Sequence, residues 1–116
     1  MGLIMALGLI EVFGFTTAVV VADAVAKAAD VTIVALDKNK PAAGDAAEVP
    51  LLMTVKFEGD VAAVEAGMQA GMVEAEKRGM LVTSDLISRQ AEDTEKMARI
   101  NALGKDKLNT TYLEEY

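Results

Sequence analysis

The chain contains no cysteine, no histidine and no tryptophan, and its aromatic content is only 4%. Without cysteine it cannot form disulfides, thiolate nucleophiles or thiolate-held zinc and iron–sulfur sites. Without histidine it has no imidazole base, no Ser-His-Asp triad and no histidine ligand for haem. An enzyme built on this sequence would depend on carboxylates and lysines alone.

Basic residues are also few, with 11 Lys and Arg against 18 Asp and Glu, which gives a net charge of −7. That sign argues against a nucleic-acid surface, because such binding relies on neutralising phosphates. The hydrophobic fraction of 53% is high for a chain of 116 residues, which is the size of one domain. We therefore expect part of the apolar surface to be buried between subunits.

The first ten residues are apolar, but no Lys or Arg precedes them and Glu11 ends the run. This run is far shorter than the roughly 20 residues needed to span a bilayer. It predicts a buried strand and not a signal peptide, and the protein is expected to be cytoplasmic.

Hydrophobic periodicity predicts four strands and three helices. The strands are expected over residues 5–13, 31–36, 51–58 and 80–88, and the helices over residues 18–29, 61–78 and 89–103. Thr16 and Asp60 are the predicted N-caps of the first two helices. This order predicts an α+β fold, a ferredoxin-like α/β sandwich (β-α-β-β-α-β plus a C-terminal helix) with a four-stranded antiparallel sheet. The domain is expected over residues 5–103, followed by a polar extension over 104–116.

The helices differ in how their apolar residues are distributed. The first is apolar nearly all round and is interrupted only by Asp23 and Lys27, which share one face at i and i+4. Such a helix predicts burial on more than one side and therefore self-association. In the second helix, Gly67 and Gly71 form a small-xxx-small pair, which predicts close packing. The third helix carries a thin apolar stripe, made up of Met97, Ile100 and Leu103.

No pattern in the sequence predicts a catalytic site. Neighbouring carboxylates such as Glu74 and Glu76 are typical of solvated helix faces, and nothing places two of them across a cleft. Ser84 and Ser88 have no histidine to activate them. There is no glycine-rich phosphate loop. The residues alone therefore predict a non-catalytic domain without a cofactor or metal.

Three segments nevertheless resemble the bacterial microcompartment shell domain family. Residues 6–31 resemble its A-L-G-x-[IV]-E strand, G-[LF]-x-A turn and A-D-A-x-x-K-[AS]-A-x-V helix. Residues 58–64 (EGDVAAV) resemble its [RK]-G-D-V-x-A-V junction, and Ile87-Ser88-Arg89 stands where the family has I-P-R. Together these motifs are specific, although each alone is weak.

The resemblance implies a flat homohexamer that catalyses no reaction. Such hexamers tile edge to edge, with each other and with other shell proteins, into the shell of a bacterial microcompartment in the cytoplasm. Metabolites pass through a central pore in each hexamer. The resemblance also allows contacts with encapsulated enzymes, and it involves no nucleic acid, membrane or cofactor.

The resemblance assigns two residues to contacts between tiles. Lys27 matches the lysine of the A-D-A-x-x-K motif, which lies at the hexamer rim. Arg89 matches the arginine that follows the last strand and reaches the neighbouring tile. Ser88 replaces the proline of the family before Arg89, so we expect a less rigid turn.

The pore is assigned to the polar loop over residues 37–50, between the second and third strands. The loop is several residues longer than the Gly-rich turn of the family, and long loops are often functional. We therefore expect it to narrow, plug or raise the pore. Its charges nearly balance, so the sequence does not specify whether the pore selects by charge. The pore-loop residues are Asp37, Lys38, Asn39, Lys40, Gly44, Asp45 and Glu48.

Two other classes of protein fit the same element order. One is a small ferredoxin-like regulatory or signalling protein that binds a ligand under the long loop, as a trimer or dimer. The other is a small acid–base enzyme that uses Asp and Lys at a subunit interface. The native mass separates a hexamer from the first alternative.

Overall fold

The computed structural model describes residues 5–39 and 51–99. Its elements follow the predicted order. In chain order they are β1 (Ala6–Phe13), α1 (Phe15–Ala28), β2 (Thr32–Asn39), β3 (Leu52–Gly59), α2 (Val61–Lys77), β4 (Leu81–Ile87) and α3 (Glu92–Ala98).

The four strands form one antiparallel sheet in the order β2-β3-β1-β4. This confirms the predicted α+β class and the four-stranded antiparallel sheet. β1 is central and is paired along its length with both β3 and β4. The backbone of β1 is therefore paired on both sides within the chain. Among the described strands, β2 and β4 form the edges of the sheet.

The second strand is longer than the sequence predicted. Asp37, Lys38 and Asn39 were expected to begin the loop, but they pair with β3, the last of them opposite Leu52. The Lys56 ammonium group also donates a hydrogen bond of 3.2 Å to the Asp37 carboxylate. Asp and Asn are typical of turns, which is why the sequence predicted a loop here. In the structure, β3 and Lys56 instead supply hydrogen-bond partners for this part of the chain. The remainder of the predicted loop, residues 40–50, lies outside the described residues.

The start of α1 also differs from the prediction. Gly14, and not Thr16, is the N-cap, with a φ of 89° that favours glycine. The Gly14 amide donates a 2.7 Å hydrogen bond to the Leu51 carbonyl, which fixes the sharp turn out of β1. Asp60 does occupy the N-cap of α2, but its side chain makes no capping hydrogen bond.

The main core lies between the sheet and the two longer helices. Ile10, Phe57, Val21, Val25 and Val64 are fully buried there. Each large aliphatic or aromatic side chain buried in this way contributes about 1.5–3 kcal/mol.

Glycines allow α2 to approach its neighbours closely, as the small-xxx-small pair predicted. A Cβ at Gly71 would lie 2.5 Å from Ile10 Cδ1 and 2.7 Å from Val25 Cγ2. A Cβ at Gly67 would lie 3.0 Å from Val25 Cγ1 and 3.1 Å from Phe57 Cε2. The pair therefore packs against both α1 and the sheet.

The opposite face of the sheet carries a smaller cluster beneath α3. It contains Leu7, Val34 and Ala98, with Leu9 and Ile87 packed against it. The predicted apolar stripe of the third helix is wrong at Met97, which is 69% exposed. Ile100 and Leu103 lie outside the described residues.

None of the helices described over residues 5–39 and 51–99 is long and apolar enough to cross a membrane.

Candidate assembly and pore surfaces

The strand register gives the sandwich two distinct ends. At the first, called here the lysine end, β1 and β2 begin and β3 and β4 finish, with Ala6 opposite Gly59 and Leu7 opposite Ile87. At the second, called here the hairpin end, Asn39 of β2 lies opposite Leu52 of β3. α1 begins at the hairpin end and returns the chain to the lysine end, where β2 starts.

Lys27 lies in the last turn of α1, at the lysine end. Its side chain is 76% exposed, and its ammonium nitrogen lies 2.8 Å from the Asp23 carboxylate. The hydrogen bond from Lys27 to Asp23, together with the charge of that carboxylate, raises the pKa of Lys27. A lysine in the last turn also interacts favourably with the helix dipole. Lys27 thus keeps its positive charge to a higher pH than an ordinary lysine.

Arg89 is at the same end, in the irregular segment that connects β4 to α3. It is exposed, whereas the residue after it, Gln90, is only 5% exposed. The fold therefore brings Lys27 and Arg89 to one end of the molecule, although 62 positions separate them in the sequence.

The described pore-loop residues lie at the opposite end. Asp37, Lys38 and Asn39 are the last three residues of β2, and the latter two are exposed. The Asp37 carboxylate accepts hydrogen bonds from the Lys38 amide at 2.9 Å and from the Lys56 ammonium group at 3.2 Å. The other four candidates lie outside the described residues, namely Lys40, Gly44, Asp45 and Glu48.

The length of the strands sets the distance between the two ends. β3 has eight residues, and at about 3.3 Å per residue it spans roughly 25 Å. The candidates for tile contacts and the three described candidates for the pore thus occupy opposite ends of one sheet.

The outer side of α1 is apolar in its first half, and Asp23 and Lys27 continue the same exposed side in its second half. Ala18, Val21 and Val25 face the core, while Phe15 and Val19 are 49% and 44% exposed. The apolar residues of α1 therefore lie partly on its buried side and partly on its exposed side. Other large exposed apolar side chains are Val61, Val73 and Val82.

A buried polar cluster at the lysine end was missed by sequence reasoning. Glu58 at the end of β3 is paired with Arg99 at the C-cap of α3. The Gln90 side-chain amide donates a 2.8 Å hydrogen bond to the same carboxylate. The only signal in the sequence is the acidic residue before Gly59, where the resembling motif has a basic one.

Comparisons with known proteins identify the family of the chain. Residues 6–90 match the family model of the BMC domain. The bacterial microcompartment shell protein PduK of Citrobacter freundii is 38% identical over 74% of this chain and 50% of its own length. The shell protein PduA of the same organism is 37% identical over 79% of this chain and 89% of its own length.

A solved structure is similar as well. The crystal structure of a microcompartments protein from Desulfitobacterium hafniense superposes with a TM-score of 0.67 at 32% identity, covering 83% of this chain and 49% of that one. The chain spans about half the length of this protein and of PduK, but nearly nine tenths of PduA. Since the family model covers the sheet, both long helices and Arg89, and since PduA is similar along most of its length, the chain belongs to the BMC domain family.

Proposed function

We propose that this chain is a structural shell protein of a bacterial microcompartment. Six copies close into a flat ring, the rings tile edge to edge, and the centre of each ring is a pore for metabolites. The ring assembles with itself and with other shell proteins, and it catalyses no reaction. The names of the relatives, all shell proteins, support this function.

The observation that carries the proposal is the placement of the two candidate surfaces. A subunit of a tiled ring must present one end to the axis and the other to its neighbours in the layer. The hairpin end and the lysine end lie at opposite ends of the strands, about 25 Å apart. Residues separated in this way can serve the axis and the rim at the same time.

The apolar first half of the exposed side of α1 supports closure into a ring. Phe15 and Val19 lie one turn apart on the helix and form a stripe that faces away from the core. Closed cyclic symmetry covers such a stripe on every copy, whereas an open contact leaves one uncovered at each end. Val82 on β4 adds an apolar residue next to a backbone edge that no described strand pairs with.

In the proposed ring, the β2–β3 hairpin faces the axis. Residues 39–48 are repeated six times in a confined space, so this segment, and not a short turn, governs the opening. The Asp37–Lys56 pair at its base balances one charge of each sign. We therefore propose a pore without marked preference for the charge of the metabolite.

At the rim, Lys27 and Arg89 contact the neighbouring tile. Each edge repeats its contact many times in a sheet, so a small contribution per contact is amplified. Asp23 holds the ammonium group of Lys27 on the helix surface, which leaves Arg89 as the cation without a described partner at this end.

Native mass spectrometry tests the ring directly. A species of six times 12.2 kDa supports the proposal. A trimer or dimer would support a regulatory ligand-binding protein of the same fold, and a stable monomer at micromolar concentration would contradict both. Negative-stain electron microscopy at high protein concentration then tests tiling, which requires extended sheets.

A further inference from the structure

The segment that presents Arg89 is irregular but firmly attached on both sides. Before it, β4 ends at Ile87, which pairs with Leu7 of the central strand. After it, Gln90 is buried although it belongs to no helix or strand. Only Ser88 and Arg89 lie between these two fixed points, and both are exposed.

Gln90 is fixed by its backbone and by its side chain. Its amide donates a 3.1 Å hydrogen bond to the carbonyl of Met5, just before β1. Its side-chain Nε2 donates a 2.8 Å hydrogen bond to Oε2 of Glu58 on β3. These two bonds attach the residue to β3 and to the residue just before β1.

The acceptor of the side-chain bond is itself held in place. Both oxygens of Glu58 interact with the guanidinium group of Arg99, and the Glu58 side chain is only 6% exposed. A carboxylate buried and paired in this way offers one orientation to Gln90. The other polar atom of the amide, Gln90 Oε1, is buried without a hydrogen-bond partner among the described residues. The inward orientation of Gln90 thus depends on its bond to Glu58.

We propose that Gln90 is a positioning residue that fixes Arg89 for contact between tiles. This inference rests on the proposed function, because it assigns to Gln90 the presentation of a rim residue. Neither position 88 nor position 89 is a proline, so no ring restricts the backbone of this segment. The anchor at Gln90 removes backbone freedom before tiles meet, so less conformational entropy is lost at each contact. Without the anchor at Gln90, Arg89 keeps its charge but is no longer held in one position.

The test combines Gln90→Ala with Arg89→Ala in a double-mutant cycle. The measurement is the threshold concentration at which hexamers form sheets, taken from light scattering and confirmed by negative-stain microscopy. We expect Gln90→Ala to raise the threshold about tenfold in the native sequence and to add nothing in the Arg89→Ala background. Amide exchange at residues 88–90 should be faster, while exchange in β1 and β3 stays unchanged.

Two further variants separate positioning from stability. Val34→Ala truncates a buried side chain in the cluster under α3 and is expected to lower the melting temperature without changing the sheet threshold. Gln90→Met keeps the length of the side chain but lacks the donor for Glu58. We expect it to behave like Gln90→Ala, and it decides the question if Gln90→Ala fails to fold.

The outcomes separate this inference from the function on which it rests. Normal thresholds for both Gln90 variants, an equal effect in the Arg89→Ala background, or an equal effect of Val34→Ala would each overturn the role of Gln90. These results would leave the shell function standing as long as the unaltered protein forms hexamers and sheets. If it forms neither, the proposed function is wrong and this inference is wrong with it.

Discussion

Glu58 of β3 and Arg99 at the C-terminal end of α3 form an ion pair across the sheet face that does not contact α1 or α2. Their side chains are only 6% and 12% exposed. The Nη1 atom of Arg99 also lies 3.8 Å from the Glu95 carboxylate, one turn earlier on α3. The Glu58–Arg99 pair joins α3 to the sheet. A helix of seven residues has little stability of its own. With Ala98 as its one buried residue, α3 depends on this pair for its position.

Removing one partner of the pair should therefore be costly. We expect Arg99→Met to lower the free energy of unfolding by about 3 kcal/mol, because it leaves the buried Glu58 carboxylate without its counter-ion. The double variant Glu58→Leu with Arg99→Met should recover part of the loss, since it leaves no unpaired charge but removes the acceptor of the buried Gln90 amide. Urea unfolding of the three proteins measures both effects. Equal destabilisation by the single and double variants would show that the pair does not act as a unit.

The two glycines of α2 should differ in their tolerance of a side chain. Gly71→Ala places a methyl group 2.5 Å from Ile10 Cδ1. The overpacking is expected to cost about 1–3 kcal/mol. Gly67→Ala is its matched control, because its nearest contact of 3.0 Å requires a smaller shift and alanine favours the helix by about 1 kcal/mol. Thermal unfolding should rank Gly71→Ala clearly below Gly67→Ala, and the reverse order would contradict the packing described here.

The Asp23–Lys27 pair makes a prediction about titration. Asp23 raises the pKa of Lys27 above its ordinary value of 10.5 through a hydrogen bond and its charge. Asp23→Asn should lower the pKa of Lys27 toward that value, as followed by NMR of the ammonium group. Because the folded-state pKa is raised, any stabilisation from the pair is present below pH 10.5 and is lost as the pH rises through the higher pKa. An unchanged pKa in the variant would mean that the pair does not form in solution.

Charge reversal at the lysine end should affect tiles and not rings. Lys27→Asp or Arg89→Glu should leave hexamers intact and stop the formation of sheets, since the proposed function places these side chains between tiles. Lys77→Asp is a matched control, because Lys77 is 72% exposed and lies in the last turn of α2, away from the lysine end. Sheets that still form with both rim variants, as judged by negative-stain microscopy, would show that the rim is assigned to the wrong residues.

The β2–β3 segment should control the opening of the ring. Replacing the ten residues 40–49 by a short glycine-containing turn shortens the segment of every chain at the proposed axis. We expect a wider central opening in an electron-microscopy map of the hexamer, with Asp37 and Lys56 still paired at its base. An opening of unchanged width, lined by other residues, would refute the role of this segment.

Most of the architecture could be predicted from the sequence because local patterns determine it. The apolar run of β1, the alternation of β3 and the helical spacing of α2 each specify one element and its buried face. The spacing of Gly67 and Gly71 likewise predicted a close helix contact, and the structure contains it. These features depend on neighbours in sequence, which a linear reading can see.

The errors arose where distant residues decide the local structure. β2 continues through Asn39 because β3 offers partners for its backbone and Lys56 offers a partner for Asp37. Met97 is exposed because α3 is held by Arg99 and Glu58, and not by an apolar stripe.

The candidate site shows the same division between local pattern and distant contact. Lys27 and Arg89 were identified by motif, but only the strand register shows that they share one end of the sheet. Gln90 gave no signal in the sequence, because its partners Glu58 and Met5 lie in other elements.

The central claim is that the hairpin end faces the axis of a six-membered ring and the lysine end faces its rim. A cryo-electron microscopy map of the assembled protein tests it most directly. The account predicts six chains around one axis, with the β2–β3 hairpin innermost and Lys27 and Arg89 at the outer edge. A ring with the hairpin end outermost, or an assembly without six-fold symmetry, would contradict it.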